Sequence, residues 1–282
     1  MQVETGTSTV AARIVDGVGT LELNRPERRN ALHQEMYDAI PRLIEQYNAS
    51  DQIGCILLTA RGNAFCAGGD VREGASNARR DNAALTNDDY VDAAQILAHS
   101  ARMTVMFRES PKVSLAALPG PAVGAGIGLA LSTDLRIVAE SVQLICGWAA
   151  LAFSGDFGGP WLLTRMLGPA RALEFLIGGE SIDATEGQQL GLFNRVVPDG
   201  DIEGASMTWA QQIAAGPRAA YALMKENVRD AQFLELRDAL PIESARMVAS
   251  SQTKEHREAV RRWIAKAALK KPASNGPRET PA

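Results

Sequence analysis

The stretch Val113–Leu118 is apolar except for Ser114, and it gives way within a few residues to Gly124-Ala125-Gly126-Ile127-Gly128 and then Leu129-Ala130-Leu131. A buried strand therefore ends in a turn almost free of side chains and continues as a helix. Such a junction lets a ligand reach backbone N–H groups at a helix N-terminus, where the helix dipole favours negative charge. A second junction lies upstream: the strand-like Ile56-Leu57-Leu58-Thr59 precedes Phe65-Cys66-Ala67-Gly68-Gly69-Asp70-Val71. Two loops that each offer one bare N–H can hold one oxygen between them, the arrangement that stabilises an acyl oxyanion.

The flanking pattern is strand–turn–helix. Val10–Val15 and 19–23 read as a hairpin around Asp16-Gly17. Asn30 reads as the N-cap of a helix over 32–48, with Met36, Ile40, Leu43, Ile44 and Tyr47 on one face. Strands are expected at 54–59, 113–118, 135–139 and 142–146, a polar loop at 72–88, and a helix at 89–107. From about Gly159 the chain reads as consecutive helices to about Leu269. The expected architecture is α/β, with the ligand at the loop ends. The division read from the pattern is a core over 1–200, a helical region over 201–269 and a disordered tail over 270–282.

Other classes fit poorly. A formal charge of −4 and a pI near 5.5 argue against a nucleic-acid partner. No run approaches the ~18 uninterrupted apolar residues of a membrane span, and residues 1–12 lack the apolar core of a signal peptide. Cys55, Cys66 and Cys146 have no metal-type spacing and read as reduced core thiols, which points to the cytoplasm.

With both junctions in view, the chain resembles the crotonase superfamily, the enoyl-CoA hydratase/isomerase family. Five segments carry the likeness in order: Asn24 to Leu32, Phe65 to Val71, Pro119-Gly120 to Asp134, Arg165-Met166-Leu167-Gly168, and Ala184 to Val197. The resemblance implies a spiral of strand-strand-helix turns, and a helical C-terminal region that builds a homotrimer or hexamer. It implies a CoA thioester as substrate, with no cofactor or metal. By motif, the oxyanion donors fall on the N–H groups of Gly69 and Ala125. The substrate is expected against Arg28, Ala31, Ala67, Asp70, Val71, Gly124, Gly128, Trp148 and His99. Arg28, and cations of the last helix such as Lys254 and Arg257, are candidates for the CoA phosphates.

The pattern breaks where family hydratases carry two glutamates. Those positions fall on Gly128 and Trp148, and neither side chain can move a proton. One carboxylate remains in the region, Asp156. It reads either as an acid/base in an apolar setting or as the cap of the helix near Gly159. Trp148 reads as a pocket wall and Asp70 as a support of the first loop. The expected chemistry is double-bond isomerisation through an enolate, with Asp156 shuttling the proton. The alternatives are atypical hydration, dehalogenase- or hydrolase-like chemistry through Asp156 and His99, and acyl-CoA binding without turnover.

Overall fold

In the computed structural model, which describes residues 1–72 and 87–269, the sheet starts from an edge strand and the expected hairpin. Gln2–Val3 (β1) pairs antiparallel with Val10–Val15 (β2), and β2 pairs antiparallel with Val18–Leu23 (β3). Asp16 and Gly17 between them take φ of 49° and 80°, the backbone that a two-residue hairpin turn requires. The sheet then turns parallel. Cys55–Ala60 (β4) lies beside β3 and Val113–Leu118 (β5) beside β4. Ala122–Val123 (β6) leaves for a second sheet, while Leu135–Ala139 (β7) continues the first beside β5. The second sheet has the order β6-β8-β9, with β8 at Gln143–Ile145 and β9 at Ser181–Asp183; Arg195–Val197 (β10) closes the first sheet beside β7. The β4 and β5 strands are covered on both faces, which is why they read as continuous apolar runs rather than alternating ones.

Helices cover the sheet. Gln34–Ala49 (α1) buries Met36, Ile40, Leu43, Ile44 and Tyr47, each contributing about 1.5–3 kcal/mol of burial. The Tyr47 hydroxyl donates to the Thr20 carbonyl at 2.9 Å. Asn30 does not cap this helix. Its side chain donates to the carbonyls of Arg61 (2.9 Å) and Ala64 (2.8 Å) and accepts from the Arg25 N–H (2.8 Å). It is a loop staple, and His33 stands at the N-cap. Asn87–Glu109 (α2) and Ala125–Ser132 (α3) flank the junctions. Gly147–Ala150 (α4), Gly159–Leu167 (α5), Pro169–Gly178 (α6) and Ala184–Gln189 (α7) follow. The second half is thus not purely helical, since β9 and β10 interrupt it. All three cysteines are buried thiols, none in a disulfide.

Two compact units divide the chain, Met1–Gly216 and Pro217–Ala282. The boundary lies beyond the 200 read from the sequence because Ile202–Ala214 (α8) packs on β3, β4, β5 and β7. In the second unit, Arg218–Asp230 (α9) and Leu236–Ser251 (α10) are clamped by Arg246, which meets Glu226 at 3.0 Å and Asp230 at 2.8 Å. Lys254–Leu269 (α11) follows. Most of the loop read at 72–88, and the tail read at 270–282, lie outside the described residues. Among the described residues no helix is long and apolar enough to cross a membrane.

Candidate active site

The first loop is laid against two neighbours by main-chain bonds. Val123 N–H donates to Cys66 O at 2.8 Å, and Cys66 bridges Ala122 in parallel. On the other side, Leu32 N–H donates to Gly68 O at 2.7 Å and Asp70 N–H donates to Leu32 O at 2.8 Å. Because peptide groups alternate along an extended segment, this turns the Gly69 N–H away from Leu32. Ala125 opens α3, so its N–H has no acceptor within the helix. Among the described residues, neither N–H donates to a backbone acceptor. The loops touch: a Cβ on Gly68 would lie 3.0 Å from Val123 O and 3.6 Å from Ala125 N, and one on Gly126 would lie 2.5 Å from Cys66 O. Glycine at 126 is what allows this approach. Burial pushes the Cys66 thiol beneath it up to about 12, against a weaker pull from the Gly68 backbone, so the thiol is inert.

Asp70 anchors this loop. The Arg25 guanidinium donates to Asp70 Oδ2 at 2.8 Å and to Ala31 O at 3.1 Å, and the Arg72 N–H donates to Asp70 Oδ1 at 3.1 Å. Burial alone would raise this carboxyl. The Arg25 hydrogen bond, the Arg72 N–H and the charges of Arg25 and Arg28 outweigh it and hold Asp70 below its ordinary value. Asp70 is thus committed to Arg25 rather than free for proton transfer.

A cleft of about 630 Å³ opens over both donors, lined by Gly69 and Ala125 together with Ala67, Asp70, Val71, Gly124, Trp148 and Asp156. Trp148 is 4% exposed, and its indole N–H donates to Asp156 Oδ1 at 2.8 Å. Burial raises the Asp156 carboxyl above its ordinary value, and the indole hydrogen bond opposes that rise. The Asp156 side chain caps no helix. Gly158 holds the N-cap of α5 without a side-chain bond, and only the Asp156 backbone carbonyl accepts, from Gly159 N–H at 2.9 Å.

Position 128 is closed. Gly128 is buried in α3, and a Cβ there would overlap the backbone carbonyl of Phe157, whose φ is 50°. The Phe157 main chain stands where a side chain at 128 would begin, so Gly128 is a packing residue and not part of the cleft wall. Three other expected substrate residues do not line this cleft. Arg28 is exposed and Ala31 buried, both off the cleft wall. His99 is exposed and off the wall as well. The wall takes Ala93, Ile96, Leu97 and Ser100 from α2, a helical stripe from which His99 is rotated by about 100°. The sequence reading missed those four, together with His33 and Tyr37. The stripe spacing is a usable signal for α2. Tyr37 lies at the edge of the apolar face of α1, where pattern alone does not say which way it turns. A larger cavity, about 810 Å³, lies between α8 and the β2–β4 face and contains none of these groups.

The enoyl-CoA hydratase/isomerase family matches residues 13–270 of this sequence. The chain belongs to that family. It is 30% identical over 91% of its length to the 1,2-epoxyphenylacetyl-CoA isomerase of Escherichia coli, covering 95% of that protein. It is 27% identical over 86% of its length to 4-chlorobenzoyl coenzyme A dehalogenase-2 of an Arthrobacter species, covering 85% of that protein. The crystal structure of an enoyl-CoA hydratase from Polaromonas sp. JS666 superposes with a TM-score of 0.84 at 30% identity, over 91% of this chain and 97% of that one. The crotonase fold, and an enzyme of the enoyl-CoA hydratase/isomerase family acting on CoA thioesters, follow from this membership.

Proposed function

We propose that the protein is an enoyl-CoA isomerase that moves a double bond along a CoA-linked acyl chain. The observation that carries this reading is the Asp156 carboxyl in the donor-lined cleft, hydrogen-bonded to Trp148, beside a position 128 filled by main chain. On a 3-enoyl thioester, the Asp156 carboxylate takes a proton from C2. The C–H electron pair moves into the thioester, and the N–H groups of Gly69 and Ala125 hold the resulting enolate oxygen. Asp156 returns the proton at C4 as the C3–C4 double bond becomes C2–C3. Each donor contributes about 3 kcal/mol to the charged state. A carboxyl raised by burial is a stronger base, and the indole bond keeps its ionised form accessible. The thioester is the electron sink, so the scheme calls on no cofactor.

The Trp148–Asp156 bond and the likeness to the dehalogenase favour a second reading, attack of Asp156 on an electron-poor aryl thioester. That route needs a base to activate water for ester release, and His99 lies off the cleft wall. Hydration by a glutamate pair has no support, because position 128 has no room for a side chain.

The test is turnover of 3-enoyl-, 2-enoyl- and 4-chlorobenzoyl-CoA, read by mass and ultraviolet absorbance. Isomerisation keeps the mass and gains conjugation. A mass gain of about 18 from a 2-enoyl ester, or chloride release without isomerisation, overturns the reading. The proposal extends to Arg28 as a phosphate contact for CoA. It also extends to self-association as a trimer or hexamer through the second unit, where Phe233, Leu236, Met247 and Trp263 are exposed. Light scattering checks the assembly.

A further inference from the structure

Resting on the reading of Gly69, Ala125 and Asp156 as the reacting groups, we infer that Tyr37 is a positioning residue that fixes the first oxyanion donor and the Asp156 loop relative to one another. Tyr37 sits in the first turns of α1 and lines the cleft. Its hydroxyl donates to the Leu32 carbonyl at 3.2 Å, the same oxygen that accepts from Asp70 N–H. That carbonyl is the hinge on which residues 68–70 are laid, so the hydroxyl bears on the direction of the Gly69 N–H. A Cβ on Gly69 would lie 3.8 Å from the Tyr37 hydroxyl, which places the phenol directly beside the donor.

The ring of Tyr37 reaches the other side of the cleft. It packs on Phe157 with centroids 5.8 Å apart and planes tilted by 37°. Phe157 follows Asp156 and is pressed from behind by α3 at Gly128, and α3 also carries Ala125. The contacts therefore close a ring: Gly69 to Leu32 and Tyr37, Tyr37 to Phe157, Phe157 to α3, and α3 back to Ala125. In that ring Tyr37 touches both the strand of the first donor, at the Leu32 carbonyl, and the loop of the carboxylate, at Phe157. A small error in either group costs rate steeply, since a shift of about 1 Å at a reacting centre lowers turnover by about a hundredfold.

Tyr37→Phe removes the hydroxyl and keeps the ring, and Tyr37→Leu removes both. Turnover of 3-hexenoyl-CoA is expected to fall about tenfold in Tyr37→Phe and about a hundredfold in Tyr37→Leu, in kcat, with KM within about twofold. A second readout does not depend on turnover: the infrared carbonyl stretch of bound, isotope-labelled hexanoyl-CoA, which reports the two N–H bonds. It is expected to move back toward the free-ester value in both variants. Wild-type kcat and an unmoved carbonyl in Tyr37→Phe overturn the role of Tyr37, as does a change confined to KM or thermal stability. If the wild-type protein shifts the carbonyl but isomerises nothing, the isomerase reading falls, and the infrared comparison alone decides for or against Tyr37. An unshifted carbonyl in the wild-type protein overturns both.

Discussion

On one side of the cleft the proposed oxyanion donors are main-chain amides, held by main-chain bonds: Gly69 through the Leu32 bridge, and Ala125 by its place at the start of α3. On the other side the proposed acid/base is a side chain, Asp156, set by an indole N–H and by a neighbouring residue wedged on a glycine. The first side is laid out by main-chain bonds, with the Tyr37 hydroxyl and the Asp70–Arg25 pair as its side-chain supports and glycine at 126 permitting the close approach. The second depends on side chains of the loop from 147 to 159, Trp148 and Phe157 among them. A family that keeps one thioester-activating device and varies its reactions can do so by changing only the second side.

That contrast can be broken or sharpened. Asp156→Asn should lose at least a thousandfold in kcat on a 3-enoyl-CoA while still binding the ester, measured by conjugation absorbance and calorimetry. Retained turnover would place the proton elsewhere. Gly128→Glu should not create a hydratase, because the new side chain starts inside the Phe157 carbonyl. It should instead lower the unfolding midpoint, at a cost of about 1–3 kcal/mol, read by thermal melts alongside a mass assay for added water. Trp148→Phe removes the bond that pulls the Asp156 carboxyl down. The acid limb of kcat/KM, set by a carboxyl that burial already raises, should then move to higher pH, with about a tenfold loss of rate. Gly69→Ala should be the mildest. Its Cβ would meet only the Tyr37 hydroxyl, at an ordinary 3.8 Å, so kcat should stay within about threefold while the amide keeps its direction.

The amide side was legible in the sequence because its signal is local. Small residues between a strand and a helix announce a bare N–H, and the hairpin at Asp16-Gly17 and the strands β4 and β5 are equally local. The carboxylate side was legible only in its residue types. Asp156 and Trp148 were picked out, but their hydrogen bond and the closure of position 128 depend on a loop returning from 29 positions along the chain to touch α3. Nothing near Gly128 in sequence announces the Phe157 carbonyl. His99 failed through helix rotation, since its neighbours Leu97 and Ser100 face the cleft and it does not. Asn30 failed as a cap because its amide found two loop carbonyls, a competition between local and distant partners that spacing cannot weigh. The 200 boundary failed because α8 looks like any other helix until its contact with the sheet is known.

The wedge of Phe157 against Gly128 has an evolutionary corollary. Acquiring glycine at this position takes a single substitution, but with the returning loop packed against it, replacing that glycine meets backbone rather than a hole. A side chain at 128 would first require that loop to be rerouted, so glycine here is easier to acquire than to give up.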